Sequence, residues 1–264
     1  MAKAAQASVG EQLRNWRQMR RRSQLDLALD ADISPRHLSF VETGRAKPSR
    51  DIILRLAERL SIPLRHRNAL LLGAGLAPAY RERTFDDPAL AQARAAVERI
   101  LKAHEPFPAL AVDRHWTMLA YNQGVAPLLA GLPADLLAPP VNVLRLSLHP
   151  RGLASRIVNL GGWKAHLLDR LRGQVAASGD PVLEALASEL ESYPAPQADA
   201  LAGHPDVFLP LTLRTDAGEL SFMSTTTMFG TPVDITLAEI AVEAFFPADA
   251  ATAQLLRGGW NGAG

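Results

Sequence analysis

The sequence contains no cysteine. That excludes disulfides, thiolate metal sites and cysteine nucleophiles together. It also lacks any apolar run near the roughly 18–20 residues that a membrane-spanning helix needs, so no membrane insertion is expected. Met1 to Ser8 is alanine-rich but has neither the apolar stretch nor the cleavage pattern of a secretory leader, and a cytoplasmic location is the expectation. No glycine-rich phosphate loop follows a strand-like segment, and no Gly-x-Ser-x-Gly elbow occurs. His104, His115, His149, His166 and His204 stand at no metal-ligand spacing. No enzyme, metal site or cofactor is expected.

What is present is chain enough for two cores. The 264 residues are 48% apolar and 21% charged, as in a globular protein of about two domains. The net charge of +1 conceals an asymmetry: residues 1–72 carry 14 Lys/Arg against 7 Asp/Glu, and the remainder carries 14 against 20. A basic segment joined to an acidic one suggests that only the first meets a polyanion.

Helical spacing of Val9, Leu13, Trp16 and Met19 predicts a first helix. Ser23 with Asp26 caps a second, whose inner face is read as Leu25, Ala28 and Leu29. Ser34 and Pro35 open a third, which closes at Gly44. Ser49 caps a fourth, and Pro63 separates it from a short fifth. Gly73–Asp86 reads as a linker in which Tyr80 to Arg83 either dock or stay free. A helix follows from Asp87. Beyond it, Ala109–Val112, Trp116–Tyr121, Val207–Arg214, Glu219–Phe229 and Ala238–Phe246 read as strands, and 152–172 and 181–193 as helices. The tail from Gly258 reads as disordered.

The stretch Gln24–Thr43 is helix, tight turn, helix. On its second helix Arg36, Phe40 and Thr43 share a face opposite Leu38 and Val41, flanked by His37 and Ser39. Arg bonds guanine bidentately, His donates or accepts, and Phe meets a thymine methyl, which suits a major groove. Phe40 either faces DNA or packs inward. Gln24 and Ser34 stand at helix N-termini, and Gln24 is placed to donate to a phosphate. Arg20, Arg21, Arg22, Arg45 and Lys47 either touch phosphate or are solvated. Ser23-Gln24-x-x-Leu27-Ala28, Ile33-Ser34, Phe40-Val41-Glu42-Thr43-Gly44-Arg45 and Pro48-Ser49 together resemble the Xre/Cro-like helix-turn-helix repressors over residues 9–72. The resemblance implies that Arg17 pairs with Glu42 to brace the motif. Asp32 stands where that family's turn usually has Gly, and Asp tolerates a left-handed backbone better than most residues.

The second half is rich in large apolar groups: Trp116, Met118, Tyr121, Trp163, Phe208, Phe222, Met223, Met228 and Phe229. Most such residues are ordinary core, but strands and helices so decorated also suit a half-barrel around an apolar ligand. Asn68-Ala69-Leu70-Leu71-Leu72-x-Ala74-Gly75-x-Ala77-Pro78-x-Tyr80, Asn142-Val143-Leu144-Arg145, His149-Pro150-x-Gly152-Leu153, Phe229-Gly230-Thr231-Pro232-x-Asp234 and Phe245-Phe246-Pro247-Ala248-Asp249 resemble the ligand-binding domain of MmyB-like transcription regulators. This resemblance implies a PAS-like sensor, with a fatty acid as the ligand type. Trp116, Tyr121, Trp163, Phe222 and Met228 are the candidates for an apolar tunnel. Asn122 and Arg145 are candidates for the carboxylate end, with a structural salt bridge as the equal alternative for Arg145.

The expected organisation is an all-α helix-turn-helix domain of five helices (9–75), a linker and connecting helix (76–104), an α+β PAS-like domain with an antiparallel sheet (105–250) and a tail (251–264). The expected function is a sequence-specific regulator that binds a double-stranded DNA operator as a homodimer and senses a small apolar ligand. Two other readings stay open: a constitutive regulator whose second domain only dimerises, and an enzyme acting on an apolar acid.

Overall fold

The computed structural model describes residues 7–197, 209–230 and 232–260. The chain forms two compact units. One runs up to Arg83 and takes in a segment ending at Ala238; the other comprises Thr84–Gly230 and the chain from Glu239 onward. Val207, Phe208, His204 and Thr231, all drawn on in the sequence analysis, lie outside the described residues, as does the tail beyond Trp260.

The first unit is built from α1 (Val9–Met19), α2 (Gln24–Asp30), α3 (Pro35–Glu42), α4 (Arg50–Arg59) and α5 (Leu64–Gly73). Serine hydroxyls start four of them. Ser8, Ser23, Ser34 and Ser49 accept from the backbone N–H groups of Glu11, Asp26, His37 and Ile52, satisfying donors that a helix start leaves orphaned. Leu13, Leu27, Leu38, Ile53, Leu56 and Leu70 meet in a core from which water is excluded. Asp32 takes φ +50° in the turn between α2 and α3, the left-handed backbone expected of it. Gly10 lets α1 approach α3, since a Cβ there would lie 2.2 Å from the Val41 carbonyl oxygen. The inner face of α2 needs correction. Leu25 and Leu29 are exposed, while Leu27, Ala28 and Ala31 are buried. The sequence offers α2 two apolar stripes, and contact with α3 and α4 selects the one that carries Ala28.

The second unit begins with a 3-10 turn (Pro88–Leu90) leading into α6 (Ala91–Ala103). It continues through β1 (Ala109–Val112), β2 (Met118–Tyr121), α7 (Ala126–Leu129), α8 (Ala134–Leu137), α9 (Val143–Leu148), α10 (Leu160–Ser178), α11 (Pro181–Ser192), β3 (Leu211–Thr215) and β4 (Gly218–Met228). After α12 (Ile235–Ala238), part of the first unit, it resumes with β5 (Ala241–Pro247) and α13 (Ala250–Arg257). The sheet order is β2-β1-β5-β4-β3, and every pairing is antiparallel. Trp163, Leu167 and Leu171 of α10 and Leu183, Leu186 and Leu190 of α11 bury their apolar stripes with Leu213, Leu220 and Phe222 of the sheet. The expected strand at Trp116 starts only at Met118, because Trp116 turns the chain with φ +66°. The helix expected over 152–172 splits into a 3-10 turn (Leu153–Arg156) and α10. The last strand is offset to 241–247, and Ala238 belongs to α12. Residues from 251, expected as tail, form α13, which Asp249 caps and whose Thr252 and Leu256 are buried.

The presumed linker is tied down within the first unit. Asn68 Oδ1 accepts from the backbone N–H groups of Ala79 and Tyr80, Arg65 forks onto Glu82, and Ile235 N–H donates to the Arg81 carbonyl. The Arg83 guanidinium pairs with Asp234, and Thr236 Oγ1 accepts from Arg83 N–H.

Arg17 Nε and Nη2 donate to Glu42 Oε1 and Oε2 at 2.7 and 2.9 Å, and the Glu42 side chain is 1% exposed. Removing one partner of such a pair leaves a buried charge uncompensated. Urea denaturation of Glu42→Ala is expected to show a loss of about 3–5 kcal/mol; a loss below about 1 kcal/mol would mean the pair does not brace the unit.

Candidate functional site

Two places in the molecule have the makings of a site, one in each unit. In the first, α3 is held from behind by Leu38 and Val41 in the core and by Glu42 in its ion pair. Its outer side presents Arg36 and Thr43, with Arg45 and Lys47 following, all exposed. Phe40 is half-buried, with the Arg36 guanidinium over its ring at 5.3 Å. Ser39 is also half-buried, and its carbonyl accepts from Thr43 Oγ1. A braced helix with an exposed cationic and aromatic face fits a major groove.

Ser34 and Gln24, like Thr43, already make hydrogen bonds within the fold, and His37 is turned inward. Ser34 Oγ caps α3 by accepting from His37 N–H. Gln24 Nε2 donates to Glu42 Oε2 at 2.7 Å, so one amide hydrogen at most remains for a phosphate. His37 Nε2 is buried without a hydrogen-bond partner, which points its ring edge away from solvent.

The second site is a cavity of about 90 Å³ inside the second unit. Trp116, Met118, Leu128, Leu146, Trp163, Leu167, Phe222 and Phe245 belong to its apolar wall. Five side chains give it polar points: Ser147, His166, Arg170, Ser224 and Glu243. Residues 163, 166, 167 and 170 fall on one face of α10, which is the spacing that brings an arginine into an apolar wall. Arg170 Nη1 and Nη2 donate to Glu243 at 3.2 and 2.7 Å, and Nη2 also donates to Thr226 Oγ1 at 2.8 Å. The guanidinium carbon stands 4.5 Å from the centre of the Trp116 ring, a cation–π arrangement. Trp116 Nε1 donates to Gln174 Oε1, one turn further along α10. A left-handed tryptophan is an outlier of the kind that only surrounding structure sustains, and the indole's contacts with α10 provide that support.

Of the tunnel candidates, Trp116, Trp163 and Phe222 line this cavity. Tyr121 and Met228 do not, a correction with a simple cause: both end strands and are more than half solvent-accessible or at that point, at 50% and 59%. Asn122 is corrected too. It is buried, with Oδ1 accepting from Ala109 N–H and Nδ2 donating to the Leu101 and Phe107 carbonyls, so it ties β1, β2 and α6 together. Arg145 forks onto Glu189 at 2.6 and 2.7 Å and stands outside the cavity wall, which favours the salt-bridge alternative. Met223 and Phe229 are also outside that wall. Arg170 and Glu243 were not candidates from the sequence, and His166 was weighed there only as a metal ligand and set aside. The signal for Arg170 was a charged side chain seven residues after Trp163 on the same face of α10, and it says nothing of Glu243 on β5.

Residues 93–258 match the family model of the MmyB-like transcription regulator ligand binding domain, and residues 13–66 match that of a helix-turn-helix. No curated protein matches the chain. Among the described residues, no helix is long and apolar enough to cross a membrane.

The Arg145–Glu189 pair extends to Tyr193, whose hydroxyl donates to Glu189 Oε1 at 2.5 Å. Burial first, and then the Glu189 carboxylate, push the phenol up to about 12. Since that lies above its ordinary value of 10.0, the stabilisation is complete below about pH 10 and is lost as pH rises toward 12. An ultraviolet absorbance titration should show a phenol ionising well above pH 10, and Tyr193→Phe should remove that step.

Proposed function

The chain belongs to the MmyB-like transcription regulators, and from that premise we propose that it is a homodimer that reads a two-fold operator and carries an apolar ligand in its second unit. A ligand-responsive transcription regulator with a helix-turn-helix is what the two family matches establish; dimer, operator and ligand type are the proposal. The observation that carries it is the cavity, an apolar space inside a domain whose family binds ligands.

The wall supports an alkyl or similarly apolar ligand of the fatty-acid type. At about 90 Å³ the space is smaller than the roughly 150 Å³ of a cavity that holds benzene. It takes a short chain segment as it stands, and a longer chain requires the side chains around it to move. A ligand alters DNA affinity only if it binds one arrangement of the protein more tightly than another. One helix-turn-helix per chain favours a dimer, with two recognition helices in major grooves one helical turn apart.

On DNA, Arg36 is the proposed base reader, and Arg45 and Lys47 the proposed phosphate contacts. Ser39, Phe40 and Thr43 complete the face, with Gln24, Ser34 and His37 supporting it. Native mass spectrometry, followed by extraction of bound small molecules, tests the ligand: a stoichiometric apolar compound that changes operator affinity is the expected result. An empty protein whose affinity no apolar compound alters would overturn the sensor reading.

With an operator selected from random duplexes, Arg36→Ala is expected to cost about 1–3 kcal/mol and to relax one base position. Arg45→Ala and Lys47→Ala should each weaken binding to all sequences and reduce the salt slope by about one. Mobility-shift titrations at several salt concentrations separate the two behaviours, and a monomer bound per site would remove the dimer.

A further inference from the structure

We propose that Arg156 binds the carboxylate of an apolar acid at the edge of the cavity, so that the head is held there and the chain runs inward between the apolar walls. The proposal rests on the reading of this cavity as the ligand site.

Arg156 ends the 3-10 turn that Leu153 begins. Side chains three residues apart eclipse in such a turn, so Arg156 stands on the side of Leu153, which lines the cavity. Its Nη1 donates to the Leu128 carbonyl at 3.1 Å, and Leu128 is a wall residue as well. The chain just after the turn is stitched to the sheet: Ile157 bridges to Leu213, Val158 N–H donates to the Thr212 carbonyl, and Asn159 Nδ2 donates to the Pro210 carbonyl. Leu211 and Leu213 belong to the same wall. Contacts with separate pieces of the wall thus fix where the guanidinium stands. The residue is half-buried, between that wall and water.

Among the described residues no carboxylate pairs with Arg156, and Nη1 is the only nitrogen of its guanidinium that is engaged. Arg17, Arg22 and Arg145 each hydrogen-bond a carboxylate that holds them above the ordinary arginine value. Arg156 is instead pulled below that value, by burial first, with the Asp216 carboxylate acting less strongly the other way. A desolvated cation without a counter-ion is costly. An arriving carboxylate removes that cost and takes up the idle Nε and Nη2 donors as a bidentate pair. Arg170, the arginine in the wall itself, is already neutralised by Glu243, and Arg145 is occupied by Glu189. A carboxylate therefore gains most at Arg156.

The test titrates the full chain by calorimetry with sodium octanoate and with 1-octanol at pH 8, where the acid is ionised. In Arg156→Gln, octanoate is expected to bind about tenfold or more weakly than to wild-type protein, while octanol changes by less than about twofold. Arg156→Lys keeps the charge without the fork and is expected to fall between the two. Unchanged octanoate affinity in an Arg156→Gln protein that still binds octanol, or an equal loss of both probes, would overturn the anchor and leave the cavity as the ligand site. Binding of neither probe to wild-type protein would overturn the anchor and the cavity's role together. A carbon-13 titration of carboxyl-labelled octanoate on wild-type protein gives a second reading that needs no variant. A cation at the head lowers the pKa of the bound acid below that of the free acid, and a bound value at or above the free one would overturn the anchor.

Discussion

Glu42 is a carboxylate buried at the point where three helices meet, and the first unit is arranged so that it is never left alone. Arg17 of α1 forks onto both its oxygens, and Gln24 of α2 donates to one of them. Arg17 Nη1 also reaches the Arg22 carbonyl, which pins the turn before α2. A buried ion is costly unless every acceptor is occupied, so these contacts define one arrangement of α1, α2 and α3 and penalise any other. The orientation of α3 follows from that. Its outer face displays Arg36 and Thr43 because its inner face is committed to Leu38, Val41 and Glu42.

The second unit meets a similar problem with a different solution. Its ion pair is set in the wall of a cavity, where packing alone does not close the space. Trp116 contributes on both counts: its ring covers the Arg170 guanidinium, and its Nε1 is satisfied by Gln174. The left-handed backbone at Trp116 brings the indole inward at the tip of the β1–β2 hairpin, where Asp113 Oδ1 accepts from the N–H groups of His115 and Thr117. Local strain on the order of 1–3 kcal/mol is the usual cost of such a residue, and here it places the aromatic wall.

The first unit was legible in the sequence almost residue by residue, because its signals are local: a serine before each of three helices, Pro35 at a helix start and Gly44 beyond a helix end. The error at Leu25 and Leu29 arose where both faces of a short helix were apolar and only packing decides between them. The cavity was half legible. Trp116, Trp163 and Phe222 stood out as large apolar groups, but Tyr121 and Met228 stood out equally and are exposed. Strand alternation does not say which face is inward. Arg145 and Asn122 were chosen for chemistry that suits a ligand, and the fold spends that chemistry on Glu189 and on backbone groups. Arg170 and Glu243 are 73 residues apart, and no spacing rule joins α10 to β5.

The docking of Asp234 and Thr236 onto Arg83 has a consequence for biosynthesis. The bonded residues are more than 150 positions apart, with |i−j| of 151 and 153. At a translation rate of about 5–20 residues per second, the five N-terminal helices leave the ribosome roughly 8–30 s before the segment that completes their unit. During that interval Arg83 has no Asp234 to pair with, and the nascent helical bundle waits, unfinished, until the chain beyond β4 emerges.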